Sequence, residues 1–151
     1  MKTIILFTSL PIFLLFSCGN PDNHPGKKKM DSETKNTLDL INKFNDAFNR
    51  HDVDAIMKLM TEDCIFENTR PAPDGEQVVG QEKVRKVWEE LFARSPKANF
   101  VTEEIFATGD RCIVRWVYHW VKEGKEGHIR GVDVFKVREG KVAEKFSYVK
   151  G

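Results

Sequence analysis

The chain has 151 residues, of which 40% are hydrophobic, so it is long enough for one ordinary domain with a short extension. Its formal net charge is +1, and its basic run at 27–29 is only three lysines long. Because nucleic-acid binding needs a clustered basic face, these features argue against a protein that binds DNA or RNA.

The N-terminal part has the pattern of a leader followed by a tether. Lys2 precedes an apolar run over 4–16, which is shorter than the ~20 residues of a transmembrane helix but has the length of a signal-peptide core. The letters LFSC at 15–18 resemble a bacterial lipobox, which implies cleavage before Cys18 and lipidation of that cysteine. An ordinary secretory signal is the alternative. The next residues are rich in Pro, Asn, Gly and Lys without apolar periodicity, which predicts a flexible tether.

The sequence therefore predicts three parts: a signal peptide over 1–17, a lipidated cysteine with its tether over 18–35, and one folded domain over 36–151. A lipid anchor holds a protein at a membrane without a spanning helix. We expect a lipid-anchored protein of the bacterial cell envelope. Gly19 stands where an aspartate could act as an inner-membrane retention signal, which favours the outer membrane if the organism has one.

Apolar residues recur at helical spacing in three segments of the folded domain. The first helix is predicted to begin near Asn36. Asp52 is a suitable N-cap for the second helix. The third follows Gly80 and ends at Ser95, which precedes a proline.

Most of the remaining segments have the alternation and turn residues of strands. The predicted strands cover 64–68, 100–107, 111–121, 129–137 and 141–148. The predicted turns are 109–110, 124–127 and 139–140, and 69–79 is predicted as a loop. Helices followed by mostly antiparallel strands indicate an α+β fold.

Two segments resemble a known superfamily. The letters NRHDVDAI at 49–56 resemble the helix junction of NTF2-like proteins, and GVDVFKVREGKV at 131–142 is similar to the strand pair of their SnoaL-like branch. The resemblance covers about 36–148. It implies a cone-shaped NTF2-like fold, in which three N-terminal helices pack on a curved, mostly antiparallel sheet around a pocket. Since this fold hosts enzymes, binding modules and assembly domains, it does not by itself define a function.

The strand alternation suggests which residues line that pocket. If 125–126 forms the hairpin turn, one face carries Trp116, Tyr118, Trp120, Asp133, Phe135 and Val137. Tyr118 then stands opposite Asp133, whereas a one-residue shift would turn His119 to this face. Such a wall suits a small apolar molecule with one polar handle. The alternative is a filled core in which Tyr118 only hydrogen-bonds Asp133.

The resemblance also suggests roles for single residues. The position of Asp133 holds the oxyanion-hole acid in ketosteroid isomerases and the general acid/base in the polyketide cyclases. The isomerase base position is taken here by Asn68 and the oxyanion tyrosine position by Phe44, and neither side chain can perform those tasks. Steroid-type isomerisation is therefore not expected. Tyr148 is a further candidate that either closes the pocket or packs.

Two functions remain open at this level. The first is a membrane-anchored domain that binds a small apolar ligand or serves as an envelope accessory module. The alternative is a cyclase-, isomerase- or dehydratase-like enzyme that uses Asp133 for proton transfer. Glu67, His119 and His128 are weaker candidates for such a site. No cofactor or metal is expected, because the sequence has no phosphate-binding or dinucleotide motif and its four histidines show no close paired spacing.

Two further expectations concern thiols and assembly. Cys64 and Cys112 should be buried and free, because the implied fold keeps their strands apart. The face of the sheet opposite Asp133 is unusually apolar for a solvated surface. It should carry Ile113, Val117, Val121, Val132 and Val134. We expect a homodimer that forms through this face.

Overall fold

The structure, a computed structural model, describes residues 30–150, in which three helices pack on one sheet. The elements are α1 Ser32–Asn49, α2 Val53–Lys58, β1 Met60–Glu67, β2 Gln77–Val79, α3 Gln81–Arg94, β3 Asn99–Thr108, β4 Arg111–Lys122, β5 Lys125–Arg138 and β6 Lys141–Val149. The predicted signal peptide and Cys18 lie outside the described residues. Among residues 30–150, no helix has the length and apolar character needed to span a membrane.

Capping residues define where the helices begin. The Asp31 carboxylate accepts a hydrogen bond from the Thr34 backbone N–H at 2.8 Å, so α1 begins four residues before the predicted start at Asn36. The Asp52 side chain accepts from the Ala55 N–H and caps α2 as predicted. The third helix follows Gly80, which confirms that prediction too.

The sheet has the order β2-β1-β6-β5-β4-β3, and β1–β6 is its one parallel pair among the described strands. The predicted α+β architecture, with helices on a curved and mostly antiparallel sheet, is confirmed. The loop predicted over 69–79 is wrong at its end, because 77–79 forms β2. Val78 is buried and pairs with Phe66 on β1, which explains why this short segment is extended.

The β4–β5 hairpin turns at Glu123 and Gly124, which have φ values of 52° and 74°. Two left-handed residues are the geometry of a tight two-residue hairpin loop. The turn predicted over 124–127 is therefore misplaced, and Gly127 lies inside β5. A Cβ atom on Gly127 would come within 2.7 Å of the Trp120 ring, so the indole occupies the place of a side chain there.

The two thiols behave as predicted. Cys64 on β1 and Cys112 on β4 are both buried and free, and strands β6 and β5 lie between them. Burial raises the pKa of each thiol to about 11. Both side chains are therefore neutral core residues at physiological pH.

Candidate functional site

Asp133 lies in the interior between the helices and the sheet, with only 1% of its surface exposed. One carboxylate oxygen, Oδ1, accepts a hydrogen bond from Ser147 Oγ at 2.7 Å. The other, Oδ2, lies 2.7 Å from Lys145 Nζ in an ion pair that is almost fully buried. Both oxygens of the Asp133 carboxylate are thus paired within the protein.

Strand pairing brings these three side chains together. Asp133 on β5 is directly opposite Ser147 on β6, and Lys145 lies two residues before Ser147 on the same face. Lys145 Nζ also donates to Ser147 Oγ at 2.6 Å. The serine hydroxyl can therefore accept from the ammonium group and donate to the carboxylate, which closes a triangle of three polar groups.

Aromatic rings surround the Lys145 ammonium group. Its Nζ lies 5.1 Å from the Phe66 ring centroid, 5.5 Å from that of Phe135 and 5.7 Å from that of Trp88. These distances are within the range of cation–π attraction. Burial lowers the pKa of Lys145, and the ion pair with Asp133 opposes this shift. The charge is thus kept in an apolar interior by one carboxylate, one hydroxyl and three ring faces.

This arrangement limits what Asp133 can do chemically. A general acid or base must be able to exchange a proton with a substrate atom within hydrogen-bond reach. Both oxygens of Asp133 already have partners in the protein, the Ser147 hydroxyl and the Lys145 ammonium. These contacts are typical of a structural buried ion pair and not of a general acid or base that is free to contact a substrate.

Trp116, Tyr118 and Trp120 lie on the same face as Asp133, as predicted, but the residues that pair between β4 and β5 differ from the prediction. Trp116 is opposite Gly131 and Tyr118 is opposite Ile129, while the residue opposite Asp133 is Val114. Trp116, Tyr118 and Trp120 share the face of Asp133 because the turn moved by an even number of residues.

The predicted contact between Tyr118 and Asp133 is wrong. The two residues are four positions out of register, so their side chains are not cross-strand partners. Burial raises the pKa of the Tyr118 phenol, while Ser95 and Arg94 at the end of α3 act in the opposite direction. The phenol therefore lies near that end of the helix.

The other predicted site residues have separate positions. Phe44 is buried, and its ring centroid lies 5.5 Å from that of Phe135, so these two pack as part of the core. Asn68 follows the end of β1, where its side-chain oxygen accepts from the Thr69 N–H. Tyr148 is 51% exposed on the outer face, so it does not close the pocket, which was one of the two roles expected for it.

Glu67 also faces away from the interior. It is next to Phe146 on β6, whereas its neighbour Phe66 is next to Lys145. Glu67 is therefore on the outer face, away from the Asp133 cluster.

Lys145 and Ser147 were missed by the sequence analysis. Their two-residue spacing is the one signal in the sequence that they share a strand face. The alternation of side chains does not show whether the two residues face the interior or the outer side of the sheet, because their direction depends on how β6 pairs with β5.

Two buried indoles have N–H groups without hydrogen-bond partners among residues 30–150. They belong to Trp88 on α3 and Trp116 on β4, which are 2% and 4% exposed. Both residues belong to the core that surrounds the Lys145–Asp133 pair. An unmade hydrogen bond in such surroundings is costly, and buried polar groups normally have a partner.

Residues 30–150 contain no group of three or more His, Cys, Asp or Glu side chains placed to hold a metal ion. Among residues 30–150, the polar groups of the interior include the Lys145 ammonium, the Asp133 carboxylate, the Ser147 hydroxyl and the two indole N–H groups. The Tyr118 hydroxyl is also buried without a hydrogen-bond partner in this part of the chain, as are Asn45 Nδ2 and Thr61 Oγ1.

Comparison with known proteins gives a consistent family and fold. A model of the SnoaL-like domain matches residues 41–145. An NTF2-like protein of unknown function from Mesorhizobium loti is 36% identical, with a TM-score of 0.70, and the match covers 80% of this chain and 96% of that one. No match was found among curated proteins.

Two more distant structures share the fold alone. A proposed ketosteroid isomerase from Kribbella flavida is 18% identical, with a TM-score of 0.68 and coverage of 79% of this chain and 81% of that one. A proposed SnoaL-like polyketide cyclase from Jannaschia sp. CCS1 is 17% identical, with a TM-score of 0.70 and coverage of 82% and 91%.

Proposed function

We propose that this chain, which belongs to the SnoaL-like domain family, binds a small and mostly apolar molecule in the interior between its helices and its sheet. The observation that carries this proposal is the pair of buried indole N–H groups, Trp88 and Trp116, that have no partner within residues 30–150. Since an indole nitrogen can only donate, the molecule that completes the site must bring hydrogen-bond acceptors. A ketone, ester or carboxylate on an aromatic or aliphatic frame has this chemistry.

The alternative function, proton transfer by Asp133, is the weaker candidate. Both carboxylate oxygens are occupied, by Ser147 and Lys145. The residues at the positions of the isomerase base and tyrosine, Asn68 and Phe44, provide neither a base nor a donor. A role in binding needs none of these groups to exchange a proton.

The indole N–H resonances of the protein provide a direct test. We expect 2-acetonaphthone, which carries a carbonyl acceptor, to shift the Trp88 and Trp116 indole signals in a 15N–1H spectrum. The matched hydrocarbon 2-ethylnaphthalene should shift them much less, because it cannot accept a hydrogen bond. Trp120 shares the face of Asp133, but its ring covers Gly127 near the hairpin turn, six residues before Asp133 on β5. It is therefore the internal reference and should respond to neither probe.

Substitution separates the hydrogen bond from the apolar contact. Trp116→Phe removes the donor and keeps an aromatic ring, so it should weaken acetonaphthone binding by about tenfold, the equivalent of one buried hydrogen bond. Trp120→Phe is the control and should leave the affinity unchanged. Equal responses to the ketone and the hydrocarbon, or no saturable binding of either, would contradict the proposal.

We also propose that the protein acts at the bacterial cell envelope, through lipidation of Cys18. The support is the LFSC motif after an apolar run of signal-peptide length, in a part of the chain outside the described residues. Metabolic labelling with a clickable fatty acid should mark the wild-type chain and leave Cys18→Ala unlabelled. Equal labelling of the two chains would show that the cysteine is not the anchor.

The outer face of the sheet supports the proposed homodimer. A cross-strand row of four apolar residues runs over β3 to β6, and it consists of Phe106, Ile113, Val134 and Phe146. Phe106 is 52% exposed, and Tyr148 in the neighbouring row is exposed to a similar degree. The five residues predicted for this face do lie on it, as the register of β4 and β5 shows.

A charge placed in this row should prevent the association. Val134→Asp is expected to convert a dimer to a monomer in light scattering at micromolar concentration, because an unpaired carboxylate would be buried in the interface. Val79→Asp, at an exposed position of the edge strand β2, is the matched control and should remain dimeric. Wild-type protein that is monomeric throughout this range would refute the dimer.

A further inference from the structure

The β4–β5 hairpin brings two histidines together on the outer face of the sheet. His119 and His128 are direct cross-strand partners, with ring centroids 5.8 Å apart and ring planes inclined by 37°. Both side chains are exposed. The pair cannot be recognised in the sequence, because nine positions separate the two residues along the chain and only the position of the turn aligns them.

We propose that His119 and His128 together bind one divalent transition-metal ion, with Zn²⁺ as the representative metal. A Zn–N bond of about 2.0–2.1 Å puts each ring centroid about 3.2 Å from the ion, so two rings on one tetrahedral ion lie about 5–6 Å apart. The observed separation of 5.8 Å falls within this range. Because both side chains are exposed, they can change rotamer to direct one nitrogen of each ring at a common point.

The surroundings supply further polar groups but no third histidine. Asn99 on β3 is opposite His119, so an amide, an imidazole and a second imidazole form one row across three strands. Glu126 is on the same face, two residues before His128, and favours a cation there. Lys97 lines a small concavity with His119 and Glu126, and its positive charge disfavours a cation there. The protein provides two strong ligands, and water completes the coordination.

A metal at this place would stabilise the end of the β4–β5 hairpin. From 125 to 129, β5 pairs only with β4, because its pairing with β6 begins at Gly131 and Arg130 accepts a backbone hydrogen bond from Lys150. A metal held by both strands would tie together this extension of the hairpin. Tyr118 and Trp120 alternate with His119 on β4, so the same strand segment carries two side chains of the interior face.

Calorimetric titration of the full chain with Zn²⁺ tests the site. We expect saturable binding of one ion per chain and a higher Tm when the ion is bound, since a ligand that binds only the folded state stabilises it. Loss of a group that merely supports a metal ligand weakens binding by about 10–100-fold. His119→Ala and His128→Ala should each weaken it at least as much, because each removes a ligand itself.

His24→Ala is the matched control, since His24 lies in the predicted tether, and it should bind Zn²⁺ like the wild type. His119→Ala and His128→Ala should also keep the wild-type Tm without metal, which separates loss of a ligand from loss of the fold. The proposal is overturned if Zn²⁺ shows no saturable binding up to about 1 mM. It is equally overturned if binding survives both hairpin substitutions and is lost in the tether variant.

Discussion

Replacing Lys145 with methionine should lower the free energy of unfolding by about 3–5 kcal/mol, the cost of leaving a buried charge without its partner. The Asp133 carboxylate would keep only its hydrogen bond from Ser147 in an interior lined by aromatic rings. Methionine preserves most of the apolar stem, so the loss of packing is small. Urea denaturation followed by circular dichroism measures the change.

The double variant Lys145→Met/Asp133→Leu is the control for this prediction. A buried ion pair replaced on both sides by apolar groups is often neutral or stabilising. The double variant should therefore recover most of the stability that Lys145→Met loses. If the single and double variants were equally unstable, the loss would come from packing around Lys145 and not from the uncompensated carboxylate.

The same variants bear on the function of the site. In the double variant the indoles of Trp88 and Trp116 remain, so its response to 2-acetonaphthone should persist if those groups bind the ligand. Loss of binding together with recovered stability would instead assign ligand recognition to the ion pair. The two measurements thus separate a structural role of Asp133 and Lys145 from a functional one.

Gly131→Ala should be the most damaging small substitution in the sheet, with an expected loss at or above the upper end of the ~1–3 kcal/mol typical of overpacking. A Cβ atom at this position would overlap both the Tyr148 backbone oxygen and the Trp116 ring. The backbone oxygen cannot move without disturbing the pairing of β5 with β6. Thermal and chemical denaturation measure the loss.

Gly127→Ala is the matched control, because it adds the same methyl group four residues earlier on the same strand. There the new atom would meet only the Trp120 ring, at 2.7 Å, and an indole near the hairpin turn has room to rotate away. The cost should therefore be distinctly smaller than at Gly131. Equal losses at the two glycines would contradict the described pairing of Trp116 with Gly131.

Local patterns in the sequence were sufficient for the three helices, five of the six strands and the α+β class, whereas the NTF2-like fold followed from the resemblance to a known superfamily. The helical spacing of apolar residues, the Asp52 cap and the glycine before α3 act within a few residues of one another, so they can be recognised without tertiary information. The strand alternation also assigned Trp116 and Asp133 to one face. That assignment is correct although the turn was predicted at the wrong place, because an error of an even number of residues in the turn position leaves every side chain on its predicted face.

The tertiary structure alone decided the composition of the polar cluster. The two-residue turn at 139–140 pairs Arg138 with Lys141 and would place Phe146 opposite Asp133 if the pairing continued unbroken. A bulge between Lys136 and Val137 shifts the register by one residue and puts Ser147 there instead. Such a shift moves every side chain of β6 that follows the bulge to the other face, which brings Lys145 into the interior.

The histidine pair depends on the same kind of information. His119 and His128 become neighbours only because the hairpin turns at Glu123 and Gly124. The sequence determined the alternation of side chains along each strand, since this follows from the period of an extended backbone. Which residues meet across strands depends on turn positions and bulges, and these are set by packing among parts of the chain that lie far apart in sequence.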